Sequence, residues 1–439
     1  MTNDFAHHAV DPTSAASLAA SGLKYDLVDT ADRAAFEAWF QADSRGFHGP
    51  ALSKEQVDAA FAGITYRRTV GVWDERLVSP EVPVATVSSW TEQVTVPGRR
   101  SIDAWAISSV TVSPTHRRRG IARALLEGEL RSAVDMGLPM ATLTVSESTI
   151  YGRFGFGQAV FAADLTIDTT RATIPVRERR GVLQHVTPAV FVAEAPHVFE
   201  RLRLATPGQI DVWPLRWEQI AGTVPGDDEY SKKTRVVRFD DEDGTPRGFV
   251  VYRVTGGGLD FTNHKLTVDY LLAETPEAYE ALWRYVLEVD LVHEVKAELR
   301  SVDEPLLWLL SDMRAARVSP IDHLWMRILD VPASLSARTY SCAGTVGFDV
   351  SDELGFASGR YVLETNDEGM PTVARVESIP EGVPAVSLSV NELSSLYLGG
   401  VSASSLISAR RIVELTEGAG SLVERVFHSP TTPWLSVWF

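Results

Sequence analysis

A strand that runs directly into three arginines and a glycine constrains this chain more than any other feature. Residues Ile107–Val112 have the β-branched content of a strand, closed by the turn Ser113-Pro114. Arg117, Arg118, Arg119 and Gly120 follow, and then Ile121, Leu125, Leu130 and Val134 recur at the three-to-five-residue spacing of an amphipathic helix. Gly137 and Pro139 stop that helix, and Ala141–Val145 reads as the next strand. The result is a strand–loop–helix–strand unit with its positive charge gathered at the helix entrance.

A helix N-terminus carries unpaired backbone N–H groups and about half a positive charge, so it attracts phosphate. Gly120 and the small Ala122 let a ligand approach the backbone, and the flanking guanidiniums add charge. A solvated basic turn before a surface helix is the plainer reading of an arginine run. The spacing Arg-x-x-Gly-x-Ala directly after a strand favours the phosphate site.

Arg117-x-x-Gly120-x-Ala122 resembles the acetyl-CoA pyrophosphate loop of the GNAT acyltransferases. The longer strings THRRRGIARALL and SESTIYGRFGFG are similar to the Eis (enhanced intracellular survival) branch of bacterial acetyltransferases. The resemblance implies acetyl-CoA as cofactor. It places Val110, Thr111 and Val112 along the pantetheine arm, and Arg117, Arg118, Arg119, Gly120, Ile121, Ala122 and Arg123 around the pyrophosphate. Ser146 and Glu147 would complete the cofactor cleft, and Tyr151 would be the general acid. Ser148 or Thr149 could cap a short helix that aims the phenol into that cleft.

No Ser–His–Asp order, HExxH or paired-carboxylate motif nominates a base. The chain ends SPTTPWLSVWF, and so apolar a terminus is expected to pack rather than trail in solvent. Packing desolvates the terminal α-carboxylate and raises its pKa from a reference of roughly 3.5. In Eis-like enzymes the C-terminal carboxylate is the general base, and Phe439 matches that position; a last strand completing the third domain describes the same residues without catalysis. The expected acceptor pocket draws on Asp43, Phe47, Trp90, Ser109 and Trp438. Gly46, Ser109 and a penultimate Trp438 in place of an acid point to an acceptor of different shape and lower charge than the family's aminoglycosides.

The expected reaction is therefore direct acetyl transfer from acetyl-CoA to a small cationic amine, polyamine-like or aminoglycoside-like. Alternatives are a protein lysine acetyltransferase and a lipid or small-molecule binding protein working through the last domain. A net charge of −17 argues against nucleic acid, and no stretch approaches the roughly 20 apolar residues that span a membrane. The single Cys342 excludes a disulfide framework or a cysteine-based zinc site within one chain, no metal is expected, and no export signal opens the sequence. A cytoplasmic location is expected, and the family resemblance implies a homo-oligomer, a hexamer.

A length of 439 residues predicts two to four domains. Residues 1–22, rich in Ala, Ser and Thr, are expected to be disordered. Residues 23–172 form the active GNAT-like domain: strand Tyr25–Val28, a helix over Ala31–Phe40, a loop with Asp43, Phe47 and His48, a helix near Ser53–Ala62, strands Thr65–Trp73 and Val82–Trp90, and the cofactor unit. The stretch 165–180 marks a boundary. Residues 173–320 read as a degenerate copy, with a helix at Pro188–Ala205, a hairpin at Gly256-Gly257-Gly258, strand Lys265–Leu272 and helix Pro276–Leu287. Glu274, Glu277 and Glu280 stand where the first copy has arginines, and they would repel phosphate. Residues 321–439 are similar to sterol carrier proteins, an α+β domain entered through an amphipathic helical segment, Asp322–Arg338, with helices at Asn391–Leu398 and Ala403–Leu415. The predicted class is α/β (α+β): tandem GNAT-like domains and a sterol-carrier-like domain.

Overall fold

The computed structural model describes residues 5–175, 180–226, 228–258 and 262–439, with Asp228 described by its backbone alone. The chain divides into two compact units, crossing between them inside two strands. One unit holds Met1–Val160, His323–Pro430 and Phe439; the other holds Phe161–Asp322 and Thr431–Trp438. Among the described residues no helix is long and apolar enough to cross a membrane.

The first unit begins with α1 (Pro12–Ala19), within the segment expected to lack order. That expectation is corrected for residues 5–22; residues 1–4 lie outside the described residues. Composition hid a well-made helix start: Pro12 stands in its first turn, and Asp11 accepts from the Ser14 amide at 2.7 Å. Asp11 also pairs with Arg131 at 2.9 Å. Buried Arg68 donates to the carbonyls of His8 and Ala9 while gripping Glu129, which Ser89 and Trp105 also hold. A polar network under the sheet thus fixes the leading segment.

Next come β1 (Lys24–Leu27), α2 (Arg33–Gly46), α3 (Lys54–Ile64), β2 (Arg68–Trp73), β3 (Ala85–Val96) and β4 (Arg100–Val112). Asp43, expected in a loop, lies in the last turns of α2. α4 (Ile121–Asp135), β5 (Met140–Thr144), α5 (Ser148–Tyr151) and β6 (Gly157–Asp168) complete this passage. α4 buries Ile121, Leu125 and Leu130 as its spacing requires, but Val134 faces solvent. Strand order in this unit is β1-β2-β3-β4-β5, with a late strand on the far side of β5.

The second unit runs through β7 (Val182–Val186), α6 (Pro188–Arg203), α7 (Pro214–Ala221), α8 (Asp228–Lys233), β8 (Thr234–Asp240), β9 (Pro246–Gly256) and β10 (His264–Ala273). α9 (Pro276–Leu287), β11 (Val292–Ser301), α10 (Leu306–Leu309) and the start of β12 (Ala316–Ile328) follow. Its strand order is β6-β11-β10-β9-β8-β7, with α9 buried against the sheet through Leu282, Trp283 and Val286. The boundary stretch 165–180 includes 176–179, and the glycine hairpin adjoins 259–261; both gaps lie outside the described residues.

The helix expected across Asp322–Arg338 is corrected. Leu324–Ile328 of β12 pairs antiparallel with Met140–Thr144, and only α11 (Val331–Ala337) is helical, capped by Asp330. Every residue from His323 to Ile328 is buried, so the strand shows no period-two alternation and reads like a buried helix. β13 (Gly344–Ser351), β14 (Gly359–Thr365), β15 (Pro371–Val376), β16 (Ala385–Ser389), α12 (Val390–Leu396), α13 (Ala403–Ser408), β17 (Ile412–Glu414) and α14 (Ala419–Phe427) complete the chain's elements. Their sheet order is β15-β14-β13-β16-β17. The helix expected to reach Leu415 stops at Ser408; Arg410 takes a φ of 58°, and the chain returns as an edge strand.

Candidate active site

The site grows from a sheet that opens. β4 and β5 pair in parallel only at Trp105–Ala141 and Ala106–Thr142. Beyond those two pairs they part, leaving the β5-facing edge of Ile107–Val112 without a ladder. A bulge enforces the bend: the β3–β4 register shifts between Thr86 and Ser88, and Ser109 takes a φ of 56°. Thr86 holds the bent strand, donating to the Ser109 carbonyl at 2.8 Å and meeting the Thr111 hydroxyl at 2.6 Å. Val110 and Val112 are half-buried beside the opening, and Thr111 is buried. An extended amide chain can take up the freed edge, as the pantetheine arm of acetyl-CoA requires.

Where β4 ends, the loop turns through left-handed conformations at Arg118 (φ 61°) and Gly120 (φ 77°) and enters α4 with no side-chain cap. The first-turn amides of Ile121, Ala122 and Arg123 are therefore open to an anion. Nothing lies within 4 Å of where a Cβ on Gly120 would stand, so a diphosphate has room to reach the backbone. Arg119 approaches Asp74 at 3.9 Å and Arg123 approaches Glu127 at 3.8 Å. Arg117 and Arg118, both exposed, have no acidic partner among the described residues. This donor set fits the diphosphate of coenzyme A.

At the end of β5, Ser146 and Glu147 are exposed and Tyr151 is buried on α5. Neither Ser148 nor Thr149 caps that short helix; Glu147 occupies the cap position without a side-chain bond. Burial pushes the Tyr151 phenol above its ordinary pKa; the Ser146 hydroxyl lowers it and the charge of Glu147 raises it. The phenol is thus protonated at neutral pH. Phe439 is anchored on the same strand: its amide donates to Thr144 Oγ1 at 3.2 Å, Thr144 Oγ1 donates to its terminal carbonyl oxygen, and its ring packs edge-on to Trp90 at 5.6 Å.

Trp90 leads to the residues expected to form the acceptor pocket. Arg67 stacks on its face at 3.7 Å and interacts with Glu92 and Asp43. Asp43 accepts from the Ser109 hydroxyl at 3.3 Å, while its other oxygen is shut from solvent with no partner among the described residues. Phe47 is half exposed at the end of α2. Gly46 packs directly on Thr111, whose side chain lies 2.4–2.7 Å from where a Cβ would be. Asp43, Ser109, Trp90 and Phe439 are thus joined through Arg67, whereas Trp438 lines a cleft of the second unit. Sequence reading missed Arg67 and Thr144. Consecutive Arg67 and Arg68 at the head of a strand were a usable signal, because alternate positions face opposite sides and one arginine must point under the sheet.

Desolvation, opposed by Ser109 and Arg67, pushes Asp43 up to about 7. A carboxyl with a folded pKa above its unfolded value binds a proton that the unfolded chain has lost. Stability should therefore fall as pH rises from about 4 to about 7. Asp43→Asn should raise the melting temperature at pH 8 and change it little at pH 4. Melting curves at both values check this, and an equal shift at both would place the carboxylate in a wetter setting.

Comparison with known proteins now adds to this geometry. GNAT acetyltransferase domain families match residues 28–159 and 208–328, and a sterol carrier protein domain family matches 331–436. An uncharacterized N-acetyltransferase of Streptomyces avermitilis is 34% identical over 417 residues, covering 90% of this chain and 94% of that protein. The N-acetyltransferase Eis of Mycobacterium tuberculosis is 34% identical over 336 residues, covering 73% of this chain and 77% of that protein. The crystal structure of Eis1 from Mycobacterium abscessus superposes with a TM-score of 0.78 at 28% identity, over 95% of this chain and all of that one. A GCN5-related N-acetyltransferase from Anabaena variabilis shares the fold, with a TM-score of 0.78 at 18% identity, over 95% of this chain and all of that one. Two GNAT domains, a sterol-carrier domain and 34% identity to Eis over 73% of the chain show that it belongs to the Eis family of GNAT N-acetyltransferases, which use acetyl-CoA.

Proposed function

We propose that the chain acetylates a primary amine of a small polyamine-like or aminoglycoside-like acceptor, with Tyr151 as general acid and the Phe439 α-carboxylate as general base. The observation that carries this reading is the convergence of a buried, protonated phenol and an anchored chain terminus at the end of β5, where β4 and β5 part. Acetyl-CoA supplies an activated acyl group as its thioester. The Phe439 carboxylate takes the ammonium proton, the freed amine attacks, and Tyr151 protonates the departing thiolate. The freed edge of β4 orients the donor, with backbone N–H groups available to the carbonyl oxygen.

Asp43, Trp90, Ser109 and Phe47 are the acceptor wall of this reading, with Trp438 an additional candidate. A neighbouring cationic amine favours the charged form of Asp43, so binding should draw its proton off near neutral pH. A thiol-release assay over spermidine, an aminoglycoside, free lysine and a folded lysine-rich protein tests the reading. Turnover on the small amines is expected; turnover on the protein alone would overturn it in favour of a protein acetyltransferase. The family resemblance also supports a cytoplasmic homohexamer, which sedimentation of the full chain can check.

Arg118 is assigned to the cofactor diphosphate. Charge-assisted hydrogen bonds are worth about 1.5–3 kcal/mol each. Arg118→Glu should therefore weaken coenzyme A binding by at least about tenfold at low salt. Calorimetry giving an unchanged affinity would remove the assignment.

A further inference from the structure

The second unit has a strand splay of its own. β10 and β11 pair in parallel from His264 to Val268 and then stop, with Arg300 donating to the Leu271 carbonyl at 3.1 Å. A cleft of about 250 Å³ opens there, walled by Tyr270, Arg216 and the chain's last stretch, Trp434–Trp438. That stretch is pinned in place. Trp434 Nε1 donates to the Leu299 carbonyl at 2.7 Å, and Ser436 Oγ donates to Gln209 at 3.0 Å. No diphosphate is provided for: Thr275 caps α9 by accepting from Ala278 at 3.2 Å, and Glu277 stands in the first turn.

Among the described residues, one cation in this cleft lacks a counter-ion. Arg253 pairs with Asp269 at 2.6 Å, and Arg300 with Glu304 at 3.1 Å. Arg216 has only neutral Gln219, at 3.2 Å, and its Nε is sealed from solvent with no hydrogen-bond partner among the described residues. Burial pulls its guanidinium below its ordinary pKa, opposed only by Tyr230 and Tyr270. The side chain is half-buried; a partly desolvated charge without a counter-ion is unfavourable, and an arginine fork matches a carboxylate in two parallel bonds.

We propose that this cleft of the second unit binds a small aromatic monocarboxylate, its carboxylate on Arg216 and its ring against Trp438 and Ile220. The volume suits one ring and its substituent. Asp269 and Glu298 on the same walls disfavour a dianion such as a phosphate monoester. Trp438, 39% exposed, offers an aromatic face. The site is separate from the acetyl-CoA loop and does not depend on the acceptor assignment.

Fluorine NMR titration of 4-fluorobenzoate into the full chain tests this. Saturable binding is expected, displaced by benzoate but not by inorganic phosphate at equal ionic strength. Arg216→Gln should weaken it at least tenfold, Arg216→Lys less, and Arg118→Glu not at all. Arg216→Met should melt higher than the wild-type chain in carboxylate-free buffer, because it removes the uncompensated charge. Absent binding, binding unchanged in Arg216→Gln, displacement by phosphate, or a lower-melting Arg216→Met would each overturn the proposal.

Discussion

Tyr151→Phe is expected to lower turnover by about 10²–10⁴-fold, the usual span for a lost general acid. The ring is buried and packs edge-on to Phe156 at 6.3 Å, so removing only the hydroxyl leaves its packing in place. Melting temperature and coenzyme A affinity should therefore hardly move. Because burial raises the phenol, the alkaline fall in wild-type rate should lie above the ordinary tyrosine range and should vanish in the variant. A variant with near-wild-type turnover would reduce Tyr151 to a packing residue.

A Gly-Ser extension after Phe439 should lower the rate by roughly 10²-fold or more, as expected for loss of a positioned base. The extension converts the α-carboxylate into a peptide carbonyl, while the ring keeps its contact with Trp90 and the backbone its bonds to Thr144. Charge is lost and anchorage is kept, which separates a catalytic terminus from a structural one. Phe439→Leu retains the carboxylate on a smaller anchor and should lose less than deletion of the residue. Undiminished turnover in the extended chain would send the search to Asp43, or to Glu147 through water.

The arginine loop was legible because its chemistry is local: spacing, glycine and strand end all lie within a dozen residues. The tandem architecture was legible for a related reason, since β10 and α9 repeat the strand–loop–helix order of β4 and α4 with the opposite charge. What sequence concealed was long-range. Arg68 holds the segment ahead of the leading helix from 60 positions away, and neither partner's composition announces it. β12 looked helical because burial on both faces erased its alternation. Asp43 was nominated for the pocket, but its unpartnered oxygen depends on Ser109, 66 positions later, and on a bulge that no periodicity reveals.

Gly46 constrains the routes by which the proposed acceptor wall can change. A Cβ there would stand 2.4 Å from the Cβ of Thr111, so even alanine at 111 would not relieve the clash. Only a glycine at 111, in the strand proposed to carry the cofactor arm, or a shift of α2 makes room. An acid at 46 therefore requires either that shift of α2 or a change at 111 on the donor strand, and mutations at 46 and 111 are coupled. Lineages selected for more highly charged amines are steered to another position on the same helix, and Asp43, three residues earlier, is already an acid there.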